Sequence, residues 1–330
     1  MSAHFPGMDT VRTAMALANR APSVHNSQPW SWRVGSHSLH LYAQRSLQLP
    51  STDPDGRDLI VSCGAALHHC VVAFAALGWQ AKVHRLPNPA EPDHLASIEL
   101  HRHAPGEVDI ALAAAIPRRR TDRRHFSSWP VSLGDIALIG SRAARMGVTL
   151  RRVETTAAFR ALLAQAVNRH ATDPQYQREL AAWSGRRASA TGVPARNTPQ
   201  SDPAATVPGR VFAATALAQP AQAPPAADGG VVLALGTEGD DDLARLRAGE
   251  AASVVLLGAT AAGLACCPVT EPLEVPDTRA ALRSEVFGGQ EFPQMLVRMG
   301  WAAVDSDPLP STPRRPLEEV VRWLNGAVFD

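Results

Sequence analysis

Four stretches of this sequence gather residue types that could do chemistry, the first by composition suited to a flat, polar-edged ligand and the second to a phosphate. The first is Ala21-Pro22-Ser23-Val24-His25-Asn26-Ser27-Gln28-Pro29-Trp30, which sets hydroxyl, imidazole and amide groups between two prolines. Such a loop, fixed by prolines and anchored by tryptophan, can address the edges of a planar ring. The same residues are also ordinary turn formers, and composition alone favours a plain helix-to-strand turn. The second is Arg118-Arg119-Arg120-Thr121-Asp122-Arg123-Arg124-His125-Phe126. Guanidinium forks pair bidentately with phosphate, and the Thr121 hydroxyl adds a donor. Taken alone, this run reads more simply as a solvated basic turn. Asp122 within it, and a net charge of +1 for the whole chain, argue against a nucleic-acid surface.

The third stretch is Gly263-Leu264-Ala265-Cys266-Cys267-Pro268-Val269-Thr270-Glu271, at the end of a long apolar segment, and the fourth is Pro313-Arg314-Arg315-Pro316. Adjacent cysteines cannot bridge without strain, so Cys266 and Cys267 read as buried structural thiols rather than a redox pair. With Cys63 and Cys70 they form no disulfide framework and no metal-ligand spacing. No Gly-x-Gly-x-x-Gly fingerprint is present. The first residues lack a basic region followed by an apolar one, which makes the cytoplasm the default expectation.

The elements that must position these groups follow from periodicity and punctuation. A first helix around Val11, Met15 and Ala18 stops before Pro22, and strands are expected at Trp30–Val34 and Ser38–Ala43. Leu59–Gly78 is a nearly continuous apolar helix. Its length invites a membrane span, but Ser62, His68 and His69 and the lack of flanking anchors point to burial in protein. The two histidines are then core or interface groups. Strands at Gln80–Leu86 and Leu95–His101, and helices at Val108–Ile116 and from Ser132 to about Met146, lead to a strand at Val148–Val153 and a helix at Thr155–His170. From Arg186 to Gly230 prolines and alanines occur with no period, as in Gln222-Ala223-Pro224-Pro225. A long irregular segment of that kind reads as a lid. A buried strand at Val231–Leu235, a second long helix at Leu243–Ala265, a helix at Thr278–Phe287, a strand at Pro293–Trp301 and a closing helix at Leu317–Leu324 complete the chain.

The two long helices match each other. Gly64 aligns with Gly249 and Gly78 with Gly263 at one common spacing, and an acidic loop precedes each helix: Asp53-Pro54-Asp55 and Glu238-Gly239-Asp240-Asp241-Asp242. A diverged internal duplication is the better reading, with chance alignment of alanine-rich helices as its competitor.

Pro22-Ser23-x-x-Asn26-x-Gln28-Pro29-Trp30 resembles the flavin-contacting loop of the FMN-dependent nitroreductase superfamily. Arg119-x-Thr121-x-Arg123 is similar to that superfamily's phosphate element, with threonine in place of serine. The chain as a whole resembles the Acg-like branch, from about Thr10 to Val320. The resemblance implies an α+β fold of mixed, largely antiparallel sheets around long central helices. Two nitroreductase-like halves, 1–105 and 106–330, would be fused as a pseudo-dimer, with a lid at 171–230 in the second. It implies one FMN between the halves. Arg119, Arg120, Thr121, Arg123, Arg314 and Arg315 would meet the phosphate; Pro22, Ser23, Asn26 and Gln28 the ring or ribityl; and Pro268, Val269 and Thr270 the ring edge. His25 would touch the ring or brace its loop. NAD(P)H would be a transient reductant and a small planar molecule the acceptor, with no nucleic-acid or membrane partner. The pseudo-dimer would stand alone or pair again. Two functions fit: NAD(P)H-dependent reduction of nitroaromatics, quinones or similar planar acceptors, or sequestration of FMN beneath the lid.

Overall fold

The computed structural model describes residues 5–185, 189–202, 205–221 and 228–329. Its centre is a pair of helices that are apolar on all sides, α2 (Arg57–Ala76) and α7 (Asp242–Ala261), and a helix of that kind must be surrounded by protein. The two cross where neither has a side chain. A Cβ on Gly64 would lie 2.1 Å from the Leu246 carbonyl oxygen and 2.9 Å from the Gly249 Cα. One on Gly249 would lie 2.0 Å from the Val61 carbonyl oxygen and 2.8 Å from the Gly64 Cα. The contact is reciprocal, as at a two-fold axis. Beside it His68 Nδ1 and Ser253 Oγ, 185 positions apart like the two glycines, lie at 2.7 Å. His69 Nδ1 also reaches Ser253 Oγ, at 2.9 Å. Both histidines are interface groups between the helices, and burial lowers His68 to about 4. Gly78 and Gly263 end the helices with the same φ of 85°, a left-handed turn that glycine adopts without steric cost.

Each helix stands in the same run of strands. The first half gives β1 (Trp30–Val34), β2 (Ser38–Ala43), α2, β3 (Trp79–Arg85) and β4 (His94–Arg102). The second gives β5 (Thr149–Val153), β6 (Val231–Thr237), α7, β7 (Ala265–Val269) and β8 (Phe292–Gly300). The sheets are ordered β3-β4-β2-β1-β9 and β5-β6-β8-β7, and all pairings are antiparallel except β1 with β9 (Val321–Trp323). Helix α1 (Met8–Ala18) packs on α2, α3 (Glu107–Ala115) on both long helices, and α4 (Leu133–Ala144) on α7.

Two elements depart from the sequence expectation. The segment after α7 is a strand, β7. It lies at the sheet edge, where Pro268 costs no ladder hydrogen bond. The expected closing helix shortens to a single turn, Leu317–Val320, and the chain turns into β9, returning from the second half to complete the first sheet. Buried Val320 and Val321 favour that strand.

The halves differ most between their first two strands. Residues 35–37 join β1 to β2. Residues 154–230 join β5 to β6 and carry α5 (Ala157–Ala171), α6 (Pro174–Trp183) and an irregular segment. Within the expected lid, residues 186–188, 203–204 and 222–227, including Gln222-Ala223-Pro224-Pro225, lie outside the described residues.

Gly64→Ala and Gly249→Ala each force a methyl into a backbone oxygen and should destabilise the protein by at least about 1–3 kcal/mol. Gly239→Ala, whose added Cβ meets nothing within 4 Å, should stay within about 0.5 kcal/mol. Urea unfolding of the three variants measures the contrast.

Candidate functional site

The loop after α1 is held in an uncommon backbone conformation. His25, Asn26 and Gln28 have φ of 44°, 55° and 53°, a left-handed region that non-glycine residues seldom occupy. Such clustering persists only where the surroundings fix it. Val24 N–H donates to Ser62 Oγ of α2 at 3.1 Å, and Gln28 N–H to Ser23 Oγ at 2.9 Å. Asn26 Nδ2 donates to the Gly192 and Pro313 carbonyls, at 3.1 and 3.2 Å. Gln28 is fully buried. Its Nε2 donates to the Ala190 carbonyl at 2.9 Å and its Oε1 accepts from Arg315 N–H at 2.8 Å. The loop is thus the junction of α2, residues 190–192 and the C-terminal segment.

Pro22, Ser23, His25 and Asn26 line one wall of a cavity of about 190 Å³ between the halves. Val61 and Ala65 of α2 and Ala252 and Leu256 of α7 form its floor, and Pro268, Val269 and Thr270 run along another side. Gln28 does not line it. Its amide is spent on joining chain segments.

The arginine run reaches the cavity because it is extended. Asp122 N–H donates to the Cys266 carbonyl at 2.8 Å, and Thr121 bridges Cys266, so the run lies alongside β7. Alternation then turns Arg119, Thr121 and Arg123 to the cavity. Asp122 and Arg124 pair on the other side at 2.8 Å. Arg119 is 6% exposed, and its Nε and Nη1 have no hydrogen-bond acceptor. Burial first, then Arg120, Arg20 and Arg123, lower it to about 10. Arg314 also lines the cavity and has an unpaired Nε, with Nη2 on the Arg20 and Ala21 carbonyls at 3.0 and 3.1 Å. Burial, then Arg119, Arg20 and Arg120, lower it to about 9. Arg20, Arg119, Arg120 and Arg314 share a smaller recess beside the cavity with Thr121 and Thr312. Clustered cations with no carboxylate partner among the described residues are costly, most of all the buried Arg119, and a dianionic phosphate would relieve all four.

Two expected phosphate residues do other work. Arg123 Nη1 donates to the Asn197 carbonyl at 3.1 Å, and its guanidinium lies 5.0 Å from the Phe212 ring, so it holds the segment after α6 while lining the cavity. Arg315 lines neither space. Its Nη1 donates to Gln44 Oε1 at 3.0 Å and its Nε lies 3.4 Å from Glu319. Arg20, just after α1, is one of the residues that sequence reasoning missed, with Asp58 and Arg210.

At the far end one arginine ties the segment after α6 to the rest of the protein. Arg210 Nη2 lies 2.5 Å from Glu274 Oε1 and 3.2 Å from Thr270 Oγ1. Its Nη1 donates to the Tyr176 hydroxyl and lies 3.3 Å from His25 Nε2. Burial and then Arg210 lower His25 to about 3, so the ring is a neutral acceptor for Arg210. Its edge meets Phe212 at 6.3 Å and 78°. Tyr176 stacks on His170 at 3.7 Å, and His170 Nδ1 lies 3.1 Å from Glu271 Oε1. Burial pushes the Cys266 and Cys267 thiols up, which agrees with structural thiols.

Arg119→Met should raise the melting temperature of the ligand-free protein by a few degrees, because it removes a buried uncompensated charge. It should also weaken binding of a phosphate monoester by about 1.5–3 kcal/mol. Calorimetry with and without the ligand reads both. Arg210→Ala should speed proteolytic cleavage within residues 189–219 while leaving cleavage elsewhere unchanged, as measured by timed digestion and mass spectrometry.

The nitroreductase family model matches residues 116–301. The Mycobacterium tuberculosis protein named "Putative NAD(P)H nitroreductase Rv3131" is 62% identical over 323 residues, covering 98% of this chain and 94% of its own length. "Putative NAD(P)H nitroreductase acg" of the same organism is 36% identical over 322 residues, covering 94% and 95%. Among solved structures, the FMN-dependent nitroreductase NfnB from Mycobacterium smegmatis in complex with NADPH is 18% identical. It covers 66% of this chain and 99% of that one, at a TM-score of 0.40. With a family model over more than half its length and a relative alike almost end to end, this chain belongs to the nitroreductase family.

Proposed function

We propose that the chain is a cytoplasmic flavoprotein that holds FMN and uses NAD(P)H to reduce nitroaromatics, quinones or similar planar acceptors. The observation that carries this is the buried arginine set. Arg119 and Arg314 keep unpaired nitrogens against the cavity with only other arginines as near charges, apart from the Cys266 thiol beside Arg119. A phosphate monoester is the chemistry that such a donor set fits. Arg20, Arg119, Thr121 and Arg314 would hold that phosphate. The wall of Ser23, His25 and Asn26 and the Pro268–Thr270 edge would flank the ring, with Ala65, Ala252 and Leu256 as its apolar floor. FMN when bound would supply the two-electron redox chemistry, and the protein supplies orientation, charge and exclusion of water. The names of the relatives favour a nicotinamide reductant.

The two halves read as a fused duplication with one flavin site per chain, each chain doing the work of a dimer. Shifted by the spacing of the matched glycines, Ala65 corresponds to Glu250 and Thr270 to Arg85. Arg85 Nε and Nη2 meet the two Glu250 oxygens at 2.7 and 2.8 Å, a bidentate pair that fills the counterpart of the cavity.

A second reading is favoured by the lid. Val193, Val207, Arg210 and Phe212 all line the cavity, so the bound ring would be covered. That arrangement suits a protein that sequesters FMN and turns over little.

Anaerobic mixing with NADPH, then NADH, followed by flavin absorbance, decides between them. Bleaching within seconds and recolouring by a nitroaromatic or quinone is the outcome expected of a reductase. A yellow protein that neither nucleotide bleaches supports sequestration, and one that takes up no FMN overturns both. Flavin titration should saturate at one FMN per chain.

A further inference from the structure

Asp58 is a cavity residue to which the flavin reading gives no role. It stands in the first turn of α2, is 3% exposed and lines the cavity. Among the described residues neither carboxyl oxygen has a hydrogen-bond donor. Arg57 Nη2 lies 2.5 Å from Oδ1 but off the hydrogen-bond direction, and both atoms stay unsatisfied. Arg57 Nη1 is committed to the Gln294 carbonyl at 2.6 Å. A buried carboxylate ordinarily collects several donors, and this one has none.

The charges around it explain which acid goes short. Asp53 and Arg57 face it from its own end of α2, Glu274 from the body, and Arg210 from the lid. Three carboxylates therefore share two guanidiniums. Glu274 takes Arg210 and the Thr270 hydroxyl, at 2.5 and 2.6 Å. Asp53 accepts the backbone N–H groups of Asp58 and Leu59, at 2.9 and 2.8 Å. The neighbouring His25 is neutral and adds no cation. Asp58 keeps only Arg57, which lies off the hydrogen-bond direction and is partly committed to the Gln294 carbonyl, and keeping its proton is the cheaper state.

We propose that Asp58 stands as a neutral carboxylic acid whose O–H donates a hydrogen bond into the cavity, favouring ligands that offer an uncharged acceptor there, a ring carbonyl or imine nitrogen. The identity of that ligand rests on the flavin reading; the proton does not. Burial is the main cause that pushes Asp58 up to about 8. Asp53 and Glu274 add to it, while Arg57 and Arg210 oppose it. Because the folded value lies above the unfolded one, the proton is held below that range and lost as pH rises through it. Ionisation would then turn a donor into a charge facing the ligand's own lone pair.

Infrared difference spectra of the ligand-free full chain test the proton without any flavin. The expected result is a carboxylic C=O band that persists at neutral pH, fades as pH passes about 8 and is missing from Asp58→Asn. Absence of that band from the wild-type protein at neutral pH overturns the proposal, and so does its survival in Asp58→Asn. FMN titration by fluorescence quenching tests the contact, above about pH 7, where the phosphate is already largely dianionic. The dissociation constant should rise about tenfold per pH unit beyond the Asp58 transition. Asp58→Asn, which keeps a donor and cannot ionise, should bind with no such dependence. A wild-type band together with pH-independent FMN affinity overturns the contact. No FMN uptake at any pH overturns the flavin reading and the contact with it, while the band still decides the proton. Should Asp58→Asn fail to fold, the wild-type band and the wild-type affinity profile decide both points.

Discussion

The close approach of α2 and α7 is the constraint on which the rest depends. Two helices without a polar face have no surface to show to water, so each must be covered, and each covers the other. Their backbones meet at Gly64 and Gly249, where there is no room for one carbon more. That crossing brings Ala65 and Ala252 into a common floor and sets the distance between the two sheets. The cavity is a consequence of it. Small residues draw the helices together at the centre, and the space beyond the crossing is left to be walled by loops.

Those walls concentrate charge in a protein that is almost neutral overall. Arg20 comes from the end of α1, Arg119 from the strand-like run beside β7, and Arg314 from the segment that leads back to the first sheet. Each is kept in place by carbonyl groups or by packing rather than by a carboxylate, so their positive field is left uncancelled. The opposite end of the cavity is organised in the reverse way, with the acids Asp53, Asp58 and Glu274 facing Arg57 and Arg210. A ligand lying along the cavity meets strong positive charge at one end and a nearly balanced, donor-poor group of acids at the other. That polarity gives it a direction.

Much of this was legible in the residues. The long helices, the matched glycines and most strands follow from periodicity and punctuation. The alternation in Arg119-x-Thr121-x-Arg123 predicts side chains on one face once the run is extended. Gln28 and Arg315 show the limit of a motif, which fixes residue types at spacings but not the direction of a side chain. Both are consumed in tying the loop to the C-terminal segment. Arg20 was hidden because a lone arginine after a helix looks like an ordinary cap. Asp58 was hidden because an acid in a first helical turn is expected there for its effect on the helix dipole alone. β7 and β9 are decided by tertiary pairing, and their local sequences carry a proline or a helix-like pattern instead.

The unequal strand connections carry a consequence for how such a site can change. In an assembly of identical subunits, every added segment appears at each copy of the site, and a cover over one ring is a cover over all. Here residues 35–37 turn tightly, whereas the connection from β5 to β6 builds α5 and α6 and brings Val193, Val207 and Phe212 to the cavity. Within one chain two similar halves are free to differ. These two differ at the connection that borders the cavity, and at the Arg85–Glu250 pair that only the first helix–strand set offers to the second.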